Sequence, residues 1–220
     1  MIGISNLGGR YIFSTIFAPT ISAFIIREYL QFVRITSSFD LKLIEKFIEE
    51  IRQRKLSCII TIWHREIYLF VVLKMLSDIK TFVAVDHLAD YEKKLCISLG
   101  LSMVPMSHVG SIIDAIRLIS KPGTLFVVAV DGPLGPSSVA KPGAAMFSSF
   151  AGVPIIPAHI CVRHACEGAT WDKRIYPLPF NHFRVMIDTP LQVNPMATRN
   201  EIYRAMQRYQ DALDELVLRQ

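Results

Sequence analysis

A histidine at the end of an apolar strand is the first group here able to do chemistry. His64 directly follows residues 58–63, CIITIW. An imidazole in that place can take a proton from a hydroxyl near neutral pH, because its unperturbed pKa lies close to that of the medium. Taken alone, it reads more readily as a hydrogen-bonded histidine at a strand end. The run Asp131-Gly132-Pro133-Leu134-Gly135-Pro136, after the apolar residues 124–130, is more specific. Its prolines fix φ and its glycines allow close backbone approach. Lys141-Pro142-Gly143 continues it. A carboxylate, backbone N–H groups and an ammonium gathered at a strand end can hold an anionic or carbonyl group. The bland alternative is an ordinary tight turn.

Other chemistries fail on spacing. There is no G-x-x-x-x-G-K-[ST], no G-x-G-x-x-G and no G-x-S-x-G. His64-Arg65-Glu66 has the H-x-E of zinc deaminases but lacks their P-C-x-x-C. Cys161, His164 and Cys166 read as a chance cluster at a strand end, so no metal site is expected. The basic residues are scattered without interleaved aromatics, which argues against a nucleic-acid partner.

The elements that must position these residues follow from periodicity. Leu41, Ile44, Ile48 and Ile51 recur at helical spacing, with Ser38 as a candidate cap. Apolar strands are expected at 58–63, 80–85, 101–106, 124–130, 153–162 and 183–188. Helices are expected at 67–75, 88–99 (closed by Gly100), 110–120 and 144–150. A last helix carries Ile202, Met206, Tyr209, Leu213 and Leu216 on one face. Strands alternating with helices predict an α/β fold, a single domain with a mostly parallel central sheet flanked by helices. Continuous rather than alternating apolar strands fit a sheet covered on both faces. In such folds ligands bind beyond the carboxyl ends of the strands. That rule selects His64, Asp86 with His87, Ser107 with His108, and Asp131.

Composition sets the outer bounds. A chain of 220 residues with 51% hydrophobic and 20% charged residues is neither disordered nor a stapled miniprotein. Its net charge of +5 suits anionic headgroups or acidic substrates. The mean hydropathy of +0.36 points to a membrane surface. Cys58, Cys96, Cys161 and Cys166 form no C-x-x-C pair and read as reduced thiols. Residues 11–26 carry no charge and lie between Arg10 and Arg27. At sixteen residues with Pro19, the run is short for a spanning helix, which needs about 20. An interfacial segment is expected, with a core helix as the alternative. A signal peptide is disfavoured by the cysteines and the unclear cleavage site. The expected organisation is an apolar membrane-associating segment at 1–34 and an α/β domain at 35–220.

Five motifs occur together and in order: Trp63-His64; Asp131-Gly132-Pro133-x-Gly135-Pro136; Lys141-Pro142-Gly143; Gly152-Val153-Pro154-Ile155-Ile156-Pro157; and Trp171-Asp172 with Pro177-Leu178-Pro179-Phe180. Over roughly residues 35 to 195 this resembles the lysophospholipid acyltransferase-like superfamily, in its little-characterised bacterial branch marked by W-H and D-G-P-x-G-P. The resemblance implies a glycerolipid acyltransferase fold at the cytoplasmic face of the inner membrane, peripheral or monotopic. It implies acyl transfer from acyl-CoA or acyl carrier protein to a hydroxyl of a lipid or lipid-like acceptor, with no cofactor. By that analogy His64 is the general base. The Asp131 loop positions the acceptor, and residues 153–157 wall the site. The expected catalytic residues are His64, Asp131 and Glu66. The expected substrate-binding residues are Arg65, Gly132, Pro133, Gly135, Lys141 and Ser107.

The sequence departs from the pattern at three places. The superfamily's H-x-x-x-x-D places an orienting Asp where this chain has Leu69, although the branch lacks that Asp in general. A missing orienter costs much of the rate, because tautomer and ring direction are lost. Glu66 or Asp131 could substitute. The branch often has Arg where Leu134 stands, and R-G-S-S where Met106-Ser107-His108-Val109 stands. Losing both arginines suggests an acceptor without a phosphomonoester, or rescue by Arg65, Lys141 or Arg163. It also leaves room for a second class of function, a non-catalytic lipid- or acyl-carrier-binding protein that kept the fold.

Overall fold

A computed structural model describes residues 18–85, 89–106 and 109–219. The first part of the uncharged run, 11–17, and the strand-end residues Asp86, His87, Ser107 and His108, lie outside them. The chain enters through helix α1 (Ala18–Thr36), strand β1 (Ser38–Asp40), α2 (Lys42–Arg52) and β2 (Cys58–Ile62). A single 3-10 turn (His64–Glu66) leads to α3 (Ile67–Lys74), β3 (Thr81–Val85), α4 (Asp90–Ser98) and β4 (Ser102–Pro105). Then come α5 (Val109–Ile119), β5 (Leu125–Ala129), α6 (Gly143–Ala151) and β6 (Ile155–Val162). The hairpin β7 (Ala165–Glu167) and β8 (Ile175–Pro177), strand β9 (His182–Ile187) and α7 (Arg199–Leu218) complete it.

Among the described residues the main sheet has seven strands in the order β1-β9-β6-β2-β5-β3-β4. Strands β2 to β6 run parallel, and β9 is antiparallel to β6, so the sheet is mostly parallel as the strand–helix alternation predicts. All five residues of β2 are buried. Cys58, Ile60 and Ile62 face one core with α1, α2, α3 and α4, while Ile59 and the following Trp63 face a second core with α5, α6 and α7. Two-sided burial is what an unbroken apolar strand needs, at about 1.5–3 kcal/mol for each large side chain.

Two local readings change. Ser38 does not cap a helix. It lies in β1, which pairs in parallel with β9, and its hydroxyl meets His182 Nδ1 at 2.8 Å. Helix α2 starts instead after Leu41, without a side-chain cap. The short hairpin β7–β8, with β7 exposed and β8 partly buried, gave no periodic signal and had no predicted element. Helix α1 runs through position 34 and buries Ala23, Leu30 and Val33 against the α/β core. Its other face leaves Phe24, Ile25, Phe32 and Ile35 exposed. No described helix is long and apolar enough to cross a membrane.

Candidate active site

The site forms where β2 and β5 end side by side, Ile62 opposite Ala129. Trp63 is extended and almost fully buried, and it pins the turn His64–Glu66 to the second core. Asp131, fully buried, fixes the same turn from the β5 side. Its Oδ1 accepts the His64 backbone N–H at 2.9 Å and its Oδ2 accepts the Ser138 N–H at 3.2 Å. Burial pushes this carboxyl up, and the two N–H groups oppose the rise. Asp131 therefore ties two loops together and holds the backbone of His64 rather than its ring.

Glu66 is also fully buried, and it faces the other way. Oε1 lies 2.8 Å from His159 Nδ1 on β6, and Oε2 accepts the Ile160 N–H at 3.1 Å. Burial pulls the His159 imidazole down, but contacts with Cys161 and Glu66 outweigh this and push it up to about 9. Glu66 fastens the turn to the sheet and does not serve His64.

The partner of the His64 ring comes from the hairpin. Asp172 Oδ2 lies 2.7 Å from His64 Nδ1, and Asp172 is completely buried. Burial would raise its carboxyl, yet hydrogen bonds from Thr170 and His64 and the adjacent Arg174 guanidinium hold it at about 2. A carboxylate at Nδ1 places the ring proton there and leaves Nε2 as the basic nitrogen. Trp171 stacks obliquely on the imidazole, with centroids 5.2 Å apart. This requires Gly135: a Cβ there would stand 2.7 Å from the Trp171 ring, and its φ is +63°. Leu69, where the superfamily has its orienting Asp, is a fully buried core residue.

Gly132 and Pro133 separate two apolar recesses. One, of about 70 Å3, lies beside His64, Ile67, Phe70 and Val85. The other, of about 280 Å3, is walled by Met106, Ile112, Phe147, Phe150 and Lys141. Ala84, Val85 and Ala129 border both. Lys141 lies over Gly132, where a Cβ would stand 3.0 Å from Nζ. Its N–H donates to Val130 at 2.8 Å, and its carbonyl accepts from Tyr209. Arg65 and Arg163 border a third, more polar cavity of about 330 Å3 together with His159. Arg65 Nη2 donates to Glu167 at 2.6 Å, while its buried Nε has no protein partner.

Thus the structure brings His64, Asp131, Gly132, Pro133, Gly135 and Lys141 to one edge. It places Arg65 beside them on the β6 side and commits Glu66 to His159. Ser107 lies outside the described residues. Asp172 is the candidate site residue that spacing did not assign. Its only signal was the Trp171-Asp172 pair within the last motif.

Neither a scan of protein-family models nor a search of curated proteins gives a match for this sequence. Among solved structures, the 1-acyl-sn-glycerophosphate (LPA) acyltransferase of Thermotoga maritima has a similar fold. The TM-score is 0.50 at 14% identity, over 88% of this chain and 79% of that one. The chain therefore has the α/β fold seen in that acyltransferase.

Proposed function

We propose that this protein is an O-acyltransferase that moves an acyl chain from an acyl thioester to a hydroxyl of a lipid or lipid-like acceptor. The observation that carries this reading is a histidine–carboxylate pair, His64 and Asp172, opening beside apolar recesses at the carboxyl edge of the sheet. His64 Nε2 takes the acceptor proton as the hydroxyl oxygen attacks the thioester carbonyl. The tetrahedral adduct then expels the thiolate, which recovers the proton from the imidazolium. Asp172 holds the tautomer and stabilises the imidazolium. The apolar recesses suit an acyl chain. Gly132, Pro133 and Gly135 shape the wall that the reacting groups meet, and Lys141 and Arg65 bring positive charge to either side of it. Acyl-CoA or acyl carrier protein is the donor, and no cofactor enters the step.

The fold shared with a lysophosphatidate acyltransferase supports this chemistry and a lipid acceptor. The exposed row on α1, with Phe180 edge-on to Phe32 at 6.2 Å, suits a membrane surface. Docking there sets the site beside its lipid acceptor, at the cytoplasmic face of the inner membrane. Cytoplasmic thioesters and four free cysteines are consistent with that side. The reading as a non-catalytic binding protein leaned on Leu69, Leu134 and Met106; in the acyltransferase reading Asp172 takes the part missing at Leu69, while the absent arginines at 134 and 106 remain its support.

The test supplies purified protein with acyl-CoA or acyl carrier protein donors and extracted lipids. The expected result is thiol release that needs both lipid and His64, with a new acylated lipid by mass spectrometry. Equal release by folded His64→Ala protein, or none from wild type with any donor, would overturn the proposal.

A further inference from the structure

Asp172 has more partners than a carboxylate serving one histidine requires. Thr170 donates to Oδ1 at 2.5 Å. Arg174 Nε donates at 3.1 Å to Oδ2, the same oxygen that meets His64. Arg174 Nη1 then donates at 2.9 Å to Glu92 on α4, and its guanidinium lies 5.6 Å from the centre of the Tyr68 ring. The Arg174 and Glu92 side chains are 11% and 19% exposed. A row of alternating charge thus runs from the base, through the hairpin, to a helix on the far side of the cleft.

Such a row answers two problems of a buried histidine–carboxylate pair. A lone buried carboxylate is driven towards its neutral form. An ionised one with no counter-charge binds an imidazolium so well that the ring keeps its proton and stops acting as a base. A cation at the shared oxygen relieves both. We propose that Arg174, held in place by Glu92, is a positioning residue for the base. It fixes which Asp172 oxygen meets Nδ1, and it weakens that oxygen's pull on a second ring proton. This inference rests on the acyltransferase reading for its catalytic consequence, but its electrostatic claim can be measured without turnover.

Among the described residues, these charged and titratable groups face the row. The loop supplies Asp172 and Thr170, and the 3-10 turn supplies His64. Glu92, Tyr91 and Cys96 come from α4, Tyr68 from α3 and Tyr176 from β8. Asp131 faces His64 from the β5 side and hydrogen-bonds its backbone rather than its ring.

The experiment follows the His64 ring C2 proton by NMR against pH in the full chain, assigned with His64→Gln. In Arg174→Gln the titration midpoint should move to higher pH, because the Asp172 charge is no longer shared. Arg174→Lys should bring it back towards wild type. Glu92→Gln should move it to lower pH, because Arg174 loses its counter-charge. Opposite signs for the two Gln variants separate electrostatic positioning from general damage. In the thiol-release assay, Arg174→Gln should lower kcat with little change in KM and shift the acid limb of the profile upwards. An unmoved midpoint in folded Arg174→Gln protein, or the same direction in both Gln variants, would overturn the proposal. Should the midpoints move as stated while His64→Ala retains turnover, the acyltransferase reading fails and the electrostatic row stands.

Discussion

Three buried carboxylates lie close to His64, and two regions of the chain supply them for different purposes. Glu66 and Asp131 come from the ends of β2 and β5, within the parallel sheet. Both are spent on backbone N–H groups and on His159. Asp172 comes from a short hairpin inserted between β6 and β9, and of the three it alone meets the ring. The sheet edge builds the platform and the hairpin supplies the chemical partner. Proximity in sequence therefore misleads, since Glu66 is two residues from His64 and Asp172 is 108 residues away.

If that division holds, substitutions in the two regions fail differently. The largest effect on stability is expected from Glu66→Ala. It leaves His159 buried without its carboxylate, at a cost of about 3–5 kcal/mol. Chemical denaturation should show the loss, and a change smaller than that of an ordinary surface substitution would mean the pair is not structural. Gly135→Ala comes next. Its Cβ would press on Trp171 at a positive φ, so about 1–3 kcal/mol should be lost, and Trp171 should leave the His64 ring. Tryptophan fluorescence reports that displacement, and an unchanged spectrum would deny the contact.

A different kind of effect, a pH slope, belongs to the Glu66–His159 pair. The His159 pKa is raised in the folded protein from 6.5 to about 9. Its contribution is therefore complete below pH 6.5 and is lost as the pH rises through about 9. Stability should fall across that window by up to about 1.4 kcal/mol per pH unit. The double variant Glu66→Gln, His159→Gln should lose this slope. A slope that persists there would assign it to other groups.

Much of this architecture was legible in the residues. Unbroken apolar runs such as 124–130 marked strands buried on both faces, and their ends marked the site edge that now holds His64 and Asp131. The glycines of the loop pointed to close approach, and Gly135 makes one against Trp171. Ser38 misled because a polar residue before a helical pattern reads as a cap, while pairing with β9 decided its conformation. The hairpin stayed hidden for a physical reason. Its strands are three residues each, β7 exposed and β8 partly buried, too short for any hydrophobic period to mark them. An aspartate there looks like any turn residue until the chain folds back on His64.

The most direct test of this division of labour compares Asp172→Asn with Glu66→Gln in the thiol-release assay, with rates taken per folded molecule. Asp172→Asn should lower kcat by about 10³–10⁴-fold, as expected when a histidine base loses the carboxylate that sets its tautomer. Glu66→Gln should be less stable and yet keep most of its turnover. Wild-type turnover in Asp172→Asn, or an equal collapse in both, would contradict the assignment of the hairpin carboxylate to the His64 ring.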